Sequence, residues 1–265
     1  MSSILDRFRL DGQVALITGS GRGIGAAIAL AFADAGADIV LSARSQKELD
    51  ATAAKVRERG RRALTVVCDV LDAAQRQALA DKTMAEFGRL DILVNNAGGG
   101  GPKPALAVSD EEFEAAFRFN VTTAFSLSRI CAPLMAASAG KGVIINISSV
   151  AGSLPQSGFL SYGVAKGALS WMTQELAQEF APTVRVNAIN VSATLTQALK
   201  NFMSDDMEKA MSAKNPMGRL CDPEEIAAGA LYLASPAAAY VTGELLGITG
   251  GAVVSPSDLP RATLT

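Results

Sequence analysis

The 265-residue chain contains no histidine. That absence removes Ser-His-Asp and Cys-His catalysis and every histidine-ligated metal site. Cysteine is scarce: Cys68, Cys131 and Cys221 are odd in number, far apart and form no CxxC pair. Neither a disulfide framework nor a structural metal site is expected, and a reducing compartment fits. Neither sign of charge dominates. The 24 Lys and Arg against 26 Asp and Glu leave a formal net charge of −2. The densest basic patch, Arg57 to Arg62, includes Glu58 and reads as a solvated helix end. A nucleic-acid or anionic-membrane partner is therefore not expected. No apolar run approaches the roughly 20 residues of a membrane helix. The opening MSSILDRFRLDG is charged and lacks the apolar stretch of a signal peptide. These features together predict a soluble, cytoplasmic protein.

What is present is apolar bulk in short pieces. Hydrophobic residues make up 49% of the chain, enough for a sheet covered on both faces. Strand-like runs occur at Val14–Thr18, Asp38–Ser42, Ala63–Cys68, Asp91–Asn95, Gly142–Ser148, Val184–Ile189 and Glu244–Ile248. They are continuous rather than alternating, as buried parallel strands are. Helix-length segments lie between them, for example Gly23–Ala35, Lys47–Arg59, Asp72–Phe87 and Ala165–Phe180. The alternation predicts an α/β fold with a parallel sheet and right-handed crossovers. The length suits one domain over residues 1–265. The tail after Gly251 carries Pro256 and Pro260 and reads as irregular at its end.

The first strand runs into Thr18-Gly19-Ser20-Gly21-Arg22-Gly23-Ile24-Gly25. A glycine-rich turn between strand and helix lets the backbone approach a pyrophosphate, and the helix N-terminus supplies free N–H groups. Alone it is a common turn; here it joins the first strand to the first helix. NAD enzymes place an acid at the end of the second strand, on the ribose 2′-hydroxyl. That strand ends Leu41-Ser42-Ala43-Arg44, and Asp38 stands at its wrong end. A guanidinium at 44 suits a 2′-phosphate, and Arg22 is a second clamp. The cofactor predicted is NADP(H) in preference to NAD(H), with Ser42 and Arg44 on its adenosine side. Strands three and four end in Cys68-Asp69-Val70 and Asn95-Asn96-Ala97-Gly98, at the carboxyl edge where open α/β sheets bind ligands.

Tyr162 and Lys166 stand four residues apart at the start of a helical stretch, which places them on one face. An ammonium beside a phenol stabilises the phenolate, so the tyrosine pKa is expected to fall. Such a tyrosine can protonate a carbonyl oxygen or deprotonate an alcohol. Neither Tyr232 nor Tyr240 has a lysine at that spacing. Ser149 lies 13 residues before Tyr162, with Ser148 as the competing hydroxyl. Alternation along a strand sends the two to opposite faces.

TGSGRGIG, NNAG, Asn120, Ser149, YxxxK and the late GRLCDPEEIA…VTGELLGITGG together resemble the short-chain dehydrogenase/reductase family, over residues 8–252. The resemblance implies a Rossmann-type, doubly wound, seven-stranded parallel sheet with helices on both faces. It implies a cofactor half at about 10–150 and a catalytic and substrate half at about 150–252. It implies Tyr162 as the acid/base, Ser149 orienting the carbonyl, Lys166 holding the nicotinamide ribose and lowering the tyrosine pKa, and Asn120 supporting a proton relay. Asp69 and Val70 would contact adenine, and Asn96, Ala97 and Gly98 would line the adenosine ribose side. Thr194 and Thr196 would lie near the nicotinamide carboxamide. Family members are commonly tetramers, which implies a homotetramer built on helices near 120–137 and 165–180 and on the last strand.

NNAGGGGPKP and LTQALK resemble the 7α-hydroxysteroid dehydrogenase subgroup, which interconverts a secondary alcohol and a ketone on a steroid. The four glycines at 98–101 read as an open loop beside the nicotinamide. Leu199, Met203, Met207 and Met211, with Phe202 beside them, read as one amphipathic helix, the family's substrate lid. A hydrophobic small-molecule substrate is expected. The alternatives are a 3-oxoacyl-thioester reductase and, in another class, a non-catalytic dinucleotide sensor. One departure stands out: the family's Pro-Gly after the sixth strand is Val191-Ser192 here, which puts that loop's geometry in question.

Overall fold

In the computed structural model, which describes residues 3–200 and 203–252, seven apolar runs pair into one parallel sheet. They are β1 (Val14–Thr18), β2 (Asp38–Ala43), β3 (Ala63–Val67), β4 (Ile92–Asn95), β5 (Gly142–Ser149), β6 (Val184–Val191) and β7 (Leu245–Ile248). The spatial order is β3-β2-β1-β4-β5-β6-β7. The continuity of the runs now has its cause. Neighbouring residues on β1 enter different cores: Ala15 and Ile17 pack with Ile28, Phe32 and Ile226, while Val14 and Leu16 pack with Leu79, Leu127 and Leu176. A strand covered on both faces has no solvent side to make polar.

The helices α1 (Gly23–Asp34), α2 (Gln46–Glu58) and α9 (Pro223–Ala234) supply the first of those cores. The helices α3 (Ala73–Phe87), α5 (Thr123–Ala139) and α6 (Leu160–Phe180) supply the second. Between them in the chain come α4 (Asp110–Phe117), α7 (Gln197–Lys200) and α8 (Asp205–Lys214). The chain leaves β1 toward β2 on one side and returns to β4 on the other. That reversal opens a crevice at the carboxyl ends of β1 and β4.

Three differences from the sequence reading bear on function. α6 starts at Leu160 rather than Ala165, so Tyr162 and Lys166 both belong to its first two turns. The apolar series from Leu199 is not one helix. α7 and α8 are separated, and Ser204 caps α8 by accepting from the Met207 amide, with Asp205 and Asp206 in the first turn. A serine followed by acids is a helix start, and it overrides the four-residue spacing. Met207 is largely exposed; Phe202 lies outside the described residues, as do Pro256 and Pro260. Finally, Val191 extends β6 and pairs with Ser149 and Ile248. Ser192 follows without a positive φ, as does every non-glycine residue described, so this loop does not need the family's glycine.

Candidate active site

The crevice holds a cleft of about 610 Å³ that runs from Arg44 to Tyr162 and Lys166. Its floor is the turn after β1. Gly19 stands at φ +63°, a conformation that favours glycine. Asn96 clamps the turn, its Nδ2 donating to the carbonyls of Thr18 (2.9 Å) and Gly19 (3.1 Å). Thr18 Oγ1 in turn accepts from the Asn96 and Ala97 amides, both at 3.0 Å. The NNAG segment is thus the second half of the turn's support. A Cβ on Gly25 would lie 2.5 Å from the Gly19 carbonyl oxygen, which is why α1 can pack so closely on it.

α1 begins with Arg22 as its N-cap, without a side-chain cap and without an acid in the first turn. Its opening amides lack intrahelical partners by geometry. An uncapped helix end over a glycine floor fits the diphosphate of a dinucleotide. At the near end of the cleft lie Ala43, Arg44, Ser45 and Glu48, and Asp69, Val70 and Leu71 form the adjoining wall. Asp38 is far from this site, at the amino end of β2, where it accepts from Arg61 Nη2 (2.7 Å) and the Arg62 amide (2.9 Å).

At the far end α6 carries Tyr162 and Lys166 against the end of β5. Ser149 accepts from the Ala151 amide at 3.2 Å, and its hydroxyl acts on the Tyr162 phenol to lower its pKa. Ser148 also lines the cleft, but its hydroxyl is turned away, donating to the Lys166 carbonyl (3.1 Å) and lying 2.9 Å from Ser170 Oγ. Alternation on the strand thus separates the two serines, as the sequence required. Lys166 is buried, donates to the Ile147 carbonyl at 2.8 Å, and holds its Nζ 5.7 Å from the centre of the Tyr162 ring.

The expected fall in the tyrosine pKa does not occur. Burial pushes the Tyr162 phenol up from its ordinary value, and the Ser149 hydrogen bond opposes this only in part. Burial acts on Lys166 too, lowering it to about 8. Both shifts favour the neutral forms, as removal from water does. Burial, which the sequence did not reveal, sets the direction of the tyrosine shift.

Asn120 sits in a π-helical turn, Arg118–Thr122, ahead of α5. Its Oδ1 accepts from the Gly99 amide, and its Nδ2 donates to the Gly99 and Ala116 carbonyls, each at 2.9 Å. The glycines at 98–101 are consequently less open than their composition suggests. A Cβ on Gly98 would lie 2.8 Å from Asn120 Oδ1, and one on Gly100 2.8 Å from Tyr162 Cδ2. These two glycines let the loop press against the side chains beneath it.

Of the residues singled out from the sequence, Gly19, Gly21, Arg22, Gly23, Ile24, Arg44, Asp69, Val70, Asn96, Ala97, Gly98, Tyr162, Lys166 and Thr196 line the cleft together. Ser42, Gly25 and Thr194 do not. Ser42 is fully buried, with its amide donating to Ser20 Oγ. Thr194 is bridged to Cys221 and bonded to the Ser192 carbonyl. Ser149 and Asn120 are not lining residues of this cleft but adjoin it through Tyr162 and Gly99. Sequence reasoning missed Glu48, Phe119 and Ile147 on the lining; none belongs to a recognisable motif. Among the described residues no helix is long and apolar enough to cross a membrane.

Comparison with known proteins agrees with this geometry. A family model described as enoyl-(acyl carrier protein) reductase matches residues 19–253. An uncharacterised oxidoreductase of Mycobacterium tuberculosis is 48% identical, over 97% of this chain and 98% of the relative. The 7α-hydroxysteroid dehydrogenase of Escherichia coli K12 is 40% identical, over 94% of this chain and 97% of the relative. A solved 7α-hydroxysteroid dehydrogenase, complexed with NADH and 7-oxoglycochenodeoxycholic acid, superposes with a TM-score of 0.92 at 39% identity. It spans 97% of this chain and all of that one.

Proposed function

The chain belongs to the short-chain dehydrogenase/reductase family, and from that premise we propose that it interconverts a secondary alcohol and a ketone on a hydrophobic substrate of hydroxysteroid type, with NADP(H) favoured over NAD(H). As a family member it is an NAD(P)-dependent oxidoreductase. The observation that carries the chemical assignment is the grouping of Ser149, Tyr162 and buried Lys166 at one end of a cleft whose other end holds the glycine turn and Arg44. When bound, the nicotinamide supplies or takes up a hydride.

The chain's own groups handle the proton. Ser149 fixes the phenol and presents a hydroxyl to the substrate oxygen. Tyr162, held protonated by burial, donates its proton to that oxygen in the direction of carbonyl reduction. Lys166 is still mostly charged at neutral pH, since its value stands at about 8, and it stabilises the phenolate left behind. Asn120 positions the Gly98–Gly99 segment over the same site and supports return of a proton. Residues of about 10–150 hold the cofactor and those of about 150–252 act on the substrate.

Arg44 lines the cofactor cleft next to Ala43, which stands where an NAD enzyme would present an acid. That supports NADP(H), although the solved relative was complexed with NADH. In Arg44→Ala the kcat/KM for NADPH is expected to fall about ten-fold or more, the scale of a lost hydrogen bond to a charged group. The value for NADH is expected to stay within about two-fold, because the ribose hydroxyl needs no guanidinium. Equal losses with both cofactors, or a wild type faster with NADH, overturn this assignment.

The substrate class is supported by the relatives' names. A screen of steroid ketones, 3-oxoacyl thioesters and sugars with NADPH, followed at the nicotinamide absorbance, tests it. Thioester turnover above steroid turnover moves the assignment to an acyl-thioester reductase, and no turnover at all to a dinucleotide sensor. A homotetramer is supported by exposed apolar side chains on α5 and α6, Phe125, Val164 and Trp171. The free thiols of Cys68, Cys131 and Cys221 suit a reducing cytoplasm.

A further inference from the structure

Beside Arg44 the cleft carries a carboxylate that the proton-transfer site does not use and that no family motif contains. Glu48 stands in the first turn of α2, where Ser45 caps the helix by accepting from the Glu48 amide at 3.3 Å. It lines the cleft together with Arg22 and Arg44. Its Oε1 lies 3.4 Å from Arg22 Nη1. Its side chain lies over the glycine turn: a Cβ built on Gly21 would stand 2.9 Å from Glu48 Cβ and 3.1 Å from Oε2. One turn further along α2, Thr52 Oγ1 donates to the Gly21 carbonyl at 3.1 Å. Turn and helix are thus fitted to each other, and the fit keeps the carboxylate at the adenosine end of the cleft.

We propose that Glu48 is a specificity-determining residue, whose carboxylate weakens binding of the cofactor's 2′-phosphate directly and by engaging Arg22. A phosphate monoester carries close to two negative charges near pH 7. Like charge at this end opposes it, whereas the uncharged 2′-hydroxyl of NAD(H) can donate to the same carboxylate. The pocket therefore discriminates less between the two cofactors than two arginines alone would make it. The inference rests on the assignment of the Arg44 end to the 2′-phosphate.

The test is calorimetric binding of two adenosine probes, adenosine 2′,5′-bisphosphate and 5′-AMP, to wild type, Glu48→Gln, Glu48→Ala and Arg44→Ala. Thermal melting confirms that each variant is folded. Removing the carboxylate is expected to tighten the bisphosphate about five- to ten-fold, the scale of one charge pair a few ångströms apart in water. The gain should shrink at high salt, and 5′-AMP, which loses an acceptor for its 2′-hydroxyl, should not tighten. Unchanged bisphosphate binding in both Glu48 variants overturns the inference. So does weaker binding, which would make Glu48 a support for Arg22. If wild type and Arg44→Ala bind the two probes alike while Glu48→Gln tightens the bisphosphate, the Glu48 inference stands and the Arg44 assignment falls. If none of these differences appears, both fall.

Discussion

The two edges of the sheet use charge in opposite ways. At the amino ends of the strands, acids are matched with arginines. Asp91 is buried, takes a two-pronged contact from Arg89 (2.6 and 2.9 Å), and accepts from the Val14 amide at 2.9 Å. Asp38 accepts from Arg61 Nη2 and from the Arg62 amide through one oxygen. Those charges complete one another and tie strand to strand. At the carboxyl ends, Lys166 is buried against a backbone carbonyl, Arg44 lines an open cleft, and α1 begins uncapped. The amino edge is closed upon itself, whereas at the carboxyl edge Arg22 has Glu48 beside it and Arg44 and the opening residues of the uncapped α1 line the cleft. Substitutions at the two edges should therefore separate stability from turnover.

The largest expected separation is at Lys166. Lys166→Met should lower kcat by about a hundred-fold or more, the scale of lost acid–base assistance, with the fold retained because an apolar side chain fills a buried site. Loss of folding with kcat intact in the folded fraction would erase the contrast between the edges. Asp91→Ala should do the reverse. It leaves the Val14 amide and the Arg89 fork without their acceptor, and should cost about 2–3 kcal/mol of stability in denaturant melts. Its kcat and KM should match wild type at temperatures where it is folded. A change in cofactor KM without a stability change would place Asp91 in the functional edge instead.

The smallest effect over any one pH unit concerns the burial of Lys166. Its folded value of about 8 lies below the ordinary 10.5. Below pH 8 both states carry the charge, and the folded one bears the desolvation cost. Between about 8 and 10 the folded chain releases the proton first, so the unfolded chain binds more protons and stability rises with pH. Tyr162, shifted upward, is protonated in both states across that window and opposes only beyond it. Wild-type stability should therefore gain on Lys166→Met from pH 8 to 10. A constant gap would show that Lys166 is not desolvated in the fold.

Much of the functional edge was legible in the sequence because its parts are local. A glycine turn, an Asn-Asn pair and a Tyr–Lys spacing each lie within a few residues, and continuous apolar runs place the strands within one or two residues of their ends. What escaped depends on packing between distant segments. Glu48 reads as an ordinary acid in a helix's first turn until Gly21 is seen beneath it. The direction of the Tyr162 shift follows from burial among Phe159, Ser149 and the glycine loop. The break between α7 and α8 was masked by methionine spacing, although Ser204-Asp205-Asp206 carried the signal for it.

In the proposed reaction Tyr162 is the proton donor of an otherwise preassembled site. Tyr162→Phe removes only the hydroxyl from a ring that the glycine loop and Phe159 hold in place. The decisive measurement is single-turnover reduction of an accepted ketone by NADPH in this variant, alongside NADPH affinity by calorimetry. Turnover is expected to fall about a thousand-fold, within the range of general acid catalysis, with affinity inside about two-fold of wild type. Turnover near the wild-type rate at unchanged affinity would contradict that role for Tyr162.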